Sequence, residues 1–129
     1  MKNILEEIAA RTRERIAKEK SRISVSELEN RIQEVNKNAR QKITFLQALQ
    51  KDGMSYICEV KKASPSKGLI APDFPYLAIA KEYEQAGASA ISCLTEPFYF
   101  QGADRYLQEI SQAVCYAVKD VIIDNWLKT

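Results

Sequence analysis

Three short segments rich in apolar residues begin at intervals of roughly thirty residues in the second half of the chain. They are 55–60, 90–95 and 116–123, and a helical pattern separates each from the next. Neighbouring parallel strands require a long crossover between them, usually a helix, and such crossovers are right-handed. The spacing therefore predicts an α/β fold in which parallel strands alternate with helices.

The first half of the chain carries only helical signals. Polar residues that stand three positions before a glutamate or a glutamine predict helix starts at Asn3, Ser26 and Thr44. Apolar residues follow each start at helical spacing. The signals therefore predict that residues 1–53 are helical.

Two further helices are expected between the three strands. Asp73 is expected to cap a helix that continues through Ala86 and stops at Gly87. The second helix is expected over 104–113, where apolar residues again recur at helical spacing. Residues 54–129 are thus predicted to form three strands and two intervening helices.

Composition excludes several classes of function. The net charge of +2 gives no basic excess of the kind that nucleic-acid-binding domains show, and no apolar run reaches the length of a membrane span. The absence of histidine removes the usual catalytic triads and most zinc sites, so that carboxylates and lysines must carry any acid–base work. The three cysteines are an odd number, which predicts free thiols in a reducing cytoplasm.

The strand 55–60 leads into an abruptly polar segment. Glu59 and Lys61 stand two positions apart, so on a strand their side chains leave from the same face. An acid and a base in an otherwise apolar strand are costly unless they are paired or used. The segment 64–68 then combines hydroxyls, a lysine, Pro65 and a glycine. The two interpretations are a strand that delivers charged groups to a pocket and a surface ion pair beside a basic loop.

The sequence Glu59-Val60-Lys61-Lys62-Ala63-Ser64-Pro65-Ser66-Lys67-Gly68 resembles the signature of the indole-3-glycerol-phosphate synthase family. The resemblance extends to 80–88, 94–96, 99–102 and 119–120, and so spans essentially the whole chain. It implies a (β/α)₈ TIM barrel, a fold of about 250 residues and eight strands. With 129 residues, the chain is expected to comprise the family's helical N-terminal extension, residues 1–53, and about the first three βα units, as an apparently truncated amino-terminal portion.

The resemblance also implies an activity. The family consists of carbon–carbon lyases of tryptophan biosynthesis that close a ring with loss of carbon dioxide and water. Their substrate is a small phosphorylated molecule, and they need neither a metal nor an organic cofactor. A cytoplasmic enzyme without nucleic-acid or membrane partners is therefore expected.

Five residues match positions to which the family assigns roles. Lys119 matches the general-acid lysine, Lys61 a lysine that binds substrate anions, and Glu59 the carboxylate that pairs with it. The remaining two are substrate-binding positions: Ser64 matches a substrate-contacting serine and Phe100 an aromatic residue of the aryl pocket. The chain departs from the family pattern by Val121 in place of a phenylalanine and Ala103 in place of a serine, and nothing in it matches the family's second catalytic glutamate or its phosphate-binding glycine loops.

Two alternatives stay open at this point. One is a non-catalytic half-barrel that associates with itself or with a complementary barrel fragment, because the strand residues Cys58, Val60, Ile91, Cys93, Val118 and Ile122 are expected to be left partly uncovered. Such a chain would be marginally stable and inactive by itself. The other is a generic phosphate or RNA patch formed by Lys61, Lys62 and Lys67, although acidic residues balance the lysines and no aromatic residues interleave with them.

Overall fold

The structure, a computed structural model, describes residues 3–38 and 44–114. The chain divides into two compact units, Met1–Gln41 and Lys42–Thr129, and the division at residue 53 stays a prediction. The predicted third strand and Lys119 lie outside the described residues. Within the described ranges, no helix has both the length and the apolar character that crossing a membrane requires.

The first unit contains two helices, α1 (Ile4–Arg22) and α2 (Val25–Asn38). Asn3 caps α1 as predicted, since its side chain accepts a hydrogen bond from the backbone N–H of Leu5 at 3.1 Å. None of the side chains of α1 is fully buried.

The predicted cap of α2 at Ser26 is wrong. The hydroxyl of Ser24 accepts instead from the backbone N–H of Glu27 at 3.2 Å, and its carbonyl accepts from Leu28. The pattern of a serine followed three residues later by a glutamate occurs twice, at 24–27 and 26–29, and the earlier copy is used. Because α1 ends at Arg22 and its C-cap Ile23 is in extended conformation, Ser24 is the first residue available to start a new helix.

The second unit confirms the α/β prediction. Strand β1 (Ile57–Val60) pairs in parallel with β4 (Ala90–Cys93), and α4 (Tyr76–Gln85) lies between them along the chain. The two strands are in register, with the first residue of one opposite the first residue of the other. The unit also contains α3 (Phe45–Leu49), β2 (Ala63–Ser64), β3 (Gly68–Leu69) and α5 (Asp104–Ala113), the last with the predicted bounds.

Helix α3 begins with a complete capping box. Thr44 accepts from the backbone N–H of Gln47 at 3.2 Å, and the side chain of Gln47 accepts from the N–H of Thr44 at 2.9 Å, as predicted. The helix packs against β4, and its Ala48 is buried.

Helix α4 begins two residues later than the sequence suggested. The prediction of Asp73 as its cap is wrong, because Pro75 is the N-cap and no side chain caps the helix. A proline pushes the residue before it out of the helical region, so Phe74 cannot belong to the first turn. The end of the helix is as predicted: Gly87 has φ +91°, and the N–H of Ala88 donates to the carbonyl of Tyr83, as in a Schellman motif.

The strand residues Cys58, Val60, Ile91 and Cys93 all face the helices. They pack with Ala80 of α4, with Tyr106 and Ile110 of α5 and with Val114, and all except the half-buried Cys58 are fully buried. The expectation that these residues would be left partly uncovered is therefore wrong for Val60, Ile91 and Cys93, because α4 and α5 already cover that face. The residues that point away from the helices are Ile57, Glu59, Ala90 and Ser92.

An aromatic cluster joins the start of α4 to α5. The rings of Phe74 and Tyr106 meet edge to face at 5.4 Å between centroids, and those of Tyr76 and Tyr106 lie 4.4 Å apart. The hydroxyl of Tyr76 donates to the carboxylate of Glu109, and this bond raises the pKa of Tyr76.

Candidate functional site

The described site residues lie near the end of β1 and on the segments that follow β1 and β4. Glu59 is in β1, Lys61 comes directly after it, Ser64 is in β2, and Phe100 is in the loop that follows β4. Because β1 and β4 are adjacent and parallel, their carboxyl ends meet at one edge of the sheet. The backbone N–H of Leu94 donates to the carbonyl of Val60 and continues the pairing beyond the strands. This edge, with residues 59–70 and 94–103, is called the site edge below.

Glu59 and Lys61 form the ion pair that their spacing predicts. The ammonium nitrogen of Lys61 lies 2.8 Å from a carboxylate oxygen of Glu59. The side chains are 45% exposed for Glu59 and 35% exposed for Lys61, so the pair stays open to solvent and to ligands. The two charges are thus paired and partly solvated, which avoids the cost that unpaired charges would have in an apolar strand. Tyr83 of α4 donates its hydroxyl to the backbone carbonyl of Glu59 at 3.3 Å, which ties the strand to the helix layer.

The segment after Lys61 is a tight antiparallel hairpin, which the sequence did not predict. Ala63 pairs with Leu69, and Ser64 pairs with Gly68, which has φ +64°. The hydroxyl oxygen of the buried Ser64 accepts from the backbone N–H of Lys67 at 3.2 Å. This contact uses the oxygen as an acceptor and keeps the hydroxyl hydrogen as a donor. A short polar run with a proline and a glycine was a turn signal that could have revealed the hairpin.

The loop between β4 and α5 folds around Glu96, a residue to which the sequence interpretation gave no role. Its carboxylate accepts the backbone N–H groups of Phe98, Tyr99 and Phe100. A carboxylate that precedes a proline and a turn is a signal for such side-chain-to-backbone bonds, and it was present in the sequence. Phe100 itself is half-buried.

Gly102 closes this loop against the end of β4. A Cβ at this position would lie 2.2 Å from the carbonyl oxygen of Leu94 and 2.7 Å from the carbonyl carbon of Thr95. Only glycine allows so close a backbone approach. The loop that carries Phe100 is therefore held at both of its ends.

The site edge is positively charged and has no clustered metal ligands. The site edge carries three lysines, Lys61, Lys62 and Lys67, and two carboxylates, Glu59 and Glu96. Among the described residues, no group of three potential metal ligands occurs. The arrangement can bind an anionic ligand, with one lysine oriented by a carboxylate and an aromatic side chain on the neighbouring loop.

Comparison with known proteins assigns this arrangement to a family. The profile of the family described as indole-3-glycerol phosphate synthase matches residues 5–126. The chain is similar to the indole-3-glycerol phosphate synthase from Lacticaseibacillus paracasei, with 48% identity over 126 residues that cover 96% of the chain and 48% of the relative. It is also similar to the indole-3-glycerol phosphate synthase from Endomicrobium trichonymphae, with 48% identity over 125 residues that cover 95% of the chain and 48% of the relative. A third relative, from Geobacillus thermodenitrificans, is 62% identical over 74 residues that cover 56% of the chain and 29% of the relative. The chain thus spans about half the length of the curated relatives that it matches over most of its own length.

Proposed function

The chain belongs to the indole-3-glycerol phosphate synthase family, and on that premise we propose that it supplies the amino-terminal part of a lyase of tryptophan biosynthesis. The proposed reaction closes the ring of 1-(2-carboxyphenylamino)-1-deoxyribulose 5-phosphate. A carbon–carbon bond forms between the aryl ring and the keto carbon, the ring carboxylate leaves as carbon dioxide, and the keto oxygen leaves as water. The proposed reaction uses no metal and no organic cofactor.

The ion pair of Glu59 and Lys61 at the site edge is the observation that carries this proposal. The substrate bears a carboxylate and a phosphate, and an accessible ammonium group is suited to either anion. The carboxylate of Glu59, 2.8 Å away, limits the positions that the flexible lysine side chain can take. We assign Lys61 to anion binding and Glu59 to the orientation of the lysines of the site.

The remaining roles extend this assignment to the other groups of the reaction. Ser64 would donate its hydroxyl hydrogen to the substrate. The hydroxyl oxygen of Ser64 accepts from the backbone N–H of Lys67, and this bond supports the role because it does not use the hydroxyl hydrogen. Phe100 would line the aryl pocket, and Lys119 would protonate the keto oxygen as general acid. We place the protein in the cytoplasm, and the free thiol of Cys58 supports that location.

The test is to complete the barrel and to measure ring closure. The chain is joined to the part of the Lacticaseibacillus paracasei synthase that the match leaves uncovered, and the product is called the joined protein below. Appearance of the indole chromophore and release of carbon dioxide, in equal amounts, are the expected result. The joined protein with Glu59→Gln and Lys61→Met together should lose this activity.

The matched control is Glu82→Gln, which removes an exposed carboxylate of α4 away from the site edge. It should leave turnover unchanged. A joined protein that melts cooperatively and releases no carbon dioxide from the substrate would contradict the proposed function.

A second candidate function is that of a half-barrel that assembles with itself or with a complementary fragment. Within the described residues, β1 pairs with β4 alone, and the apolar side chains Tyr56 and Ile57 are 58% and 55% exposed. Native mass spectrometry of the 129-residue chain separates the candidates. A dimer without activity favours assembly, whereas a monomer that gains activity only in the joined protein favours the enzyme.

A further inference from the structure

The loop between β4 and α5 is organised by one carboxylate. In Glu96, Oε1 accepts the backbone N–H of Phe98 at 3.0 Å, and Oε2 accepts those of Tyr99 at 2.7 Å and Phe100 at 3.2 Å. The backbone carbonyl of Glu96 also accepts the N–H of Gly102 at 2.8 Å. Four hydrogen bonds thus connect Glu96 to the loop that follows it.

These bonds depend on the charge and on both oxygens of the side chain. Hydrogen bonds to an ionised acceptor are roughly twice as strong as those between neutral groups. A glutamine at position 96 would offer one oxygen and would turn an NH₂ group toward the remaining backbone donors. An alanine would offer no acceptor at all, so neither residue can replace Glu96 in this loop.

The far end of the loop is also held by contacts that do not involve the side chain of Glu96. Gln101 adopts φ +50°, which is unusual for a residue other than glycine, and Gly102 leaves no room for a Cβ beside Leu94. Phe100 stands between these two anchors, and its own N–H is one of the groups that Glu96 holds. The position of the aromatic side chain therefore depends on the carboxylate.

We propose that Glu96 is a positioning residue that sets the orientation of Phe100 at the site edge, and through it the placement of the aryl ring of the substrate. This inference rests on the proposed function, because the aryl ligand comes from there. Glu96 has no catalytic role in it, since both of its oxygens are directed into the backbone of its own loop.

The structural half of the inference is tested on the 129-residue chain. Amide hydrogen exchange of Phe98, Tyr99 and Phe100 is compared between the unchanged chain, Glu96→Gln and the control Glu82→Gln. The exchange of the three amides should accelerate by about tenfold or more in Glu96→Gln, as expected for lost bonds to a charged acceptor, and should not change in the control. Unchanged protection in Glu96→Gln would overturn the inference.

The functional half is a double-mutant cycle in the joined protein. Glu96→Gln should lower kcat/KM by about 10- to 100-fold. If Glu96 acts through Phe100, then adding Glu96→Gln to Phe100→Ala should lower kcat/KM no further than Phe100→Ala does alone. Additive losses would show that Glu96 acts by another route and would overturn the inference.

The two halves separate the failure of the inference from the failure of the proposed function. If the joined protein without substitutions is folded and inactive, the proposed function fails, and the exchange experiment by itself still decides whether Glu96 holds Phe100. If the joined protein is active and the cycle is additive, only the inference fails.

Discussion

Removal of the ammonium group of Lys61 tests whether the ion pair of the site edge serves function or stability. Lys61→Met and Glu59→Gln each remove one charge and keep most of the side-chain volume. In the 129-residue chain we expect each variant to lower the free energy of unfolding only slightly. In the joined protein we expect each to impair substrate binding markedly.

The magnitude follows from the geometry of the pair. Two charges 2.8 Å apart attract each other by roughly 1.5 kcal/mol in the dielectric of water. The pair is 45% exposed at Glu59 and 35% exposed at Lys61, so solvent screening and side-chain entropy reduce the net contribution to about 0.2–1 kcal/mol. The loss of a charge-assisted contact to a substrate anion is larger, roughly 1.5–3 kcal/mol, or about a 10- to 150-fold change in kcat/KM.

Urea denaturation followed by far-UV circular dichroism measures the first quantity, and steady-state kinetics of the joined protein measures the second. The matched control is Val60→Ala, because Val60 stands between the two charged residues, faces the helices and is fully buried. Its truncation should cost on the order of 2 kcal/mol. If Lys61→Met destabilises the chain as much as Val60→Ala does, the pair is structural and the reasoning from its exposure is refuted.

The double variant completes the argument for a coupled pair. Glu59→Gln combined with Lys61→Met should lose less substrate binding than the sum of the two single changes, because each single change leaves the other charge without its partner. Strict additivity of the two changes would contradict coupling.

Three further substitutions test a steric constraint, a hydrogen bond and a proposed catalytic group. Gly102→Ala should destabilise the chain by about 1–3 kcal/mol through a backbone clash, and it should broaden or shift the amide resonances at the end of β4. In the control Gly53→Ala, an added Cβ meets nothing and only the φ of +91° is unfavourable, so those resonances should stay in place. The hydrogen bond to Glu109 raises the pKa of Tyr76 above 10.0, so the contribution of this bond to stability is present below about pH 10 and is lost as the pH rises further. Tyr76→Phe should flatten that loss in denaturation curves recorded across this pH range, and an unchanged pH profile would contradict the assignment. Lys119→Ala in the joined protein should lower kcat by roughly 10²–10⁴, and near-normal turnover would remove the assignment as general acid.

The local elements were predictable where the signal involves residues that are close in the sequence. The capping box at Thr44, the stop at Gly87 and the bounds of α5 are as predicted, because caps and turns are decided by hydrogen bonds across a few residues. The parallel pairing of β1 with β4 was predictable as well, since a strand–helix–strand spacing leaves few other arrangements. The shared face of Glu59 and Lys61 follows from the two-residue period of a strand.

The environment of each side chain was decided by the tertiary structure. The period of two says that Val60 and Glu59 lie on opposite faces, but it does not say which face is covered, and it is the packing of α4 and α5 that buries Val60 and leaves Glu59 open. The start of α4 is different, because it was decided locally: the proline at 75 overrides the capping signal of Asp73 by restricting the backbone between them.

The loop after β4 contains both features that the sequence determines and features that only the tertiary structure decides. The sequence alone identifies Phe100 as a candidate through its resemblance to a family, and it determines that Glu96 and Gly102 flank it. Only the folded backbone directs three amide groups at one carboxylate. Only the fold also brings Gly102 so close to Leu94 that an added Cβ would lie 2.2 Å from the carbonyl oxygen of Leu94. Local propensity determines which residues can turn a chain, whereas burial and close approach depend on the elements that pack against it, and these are brought together only by folding.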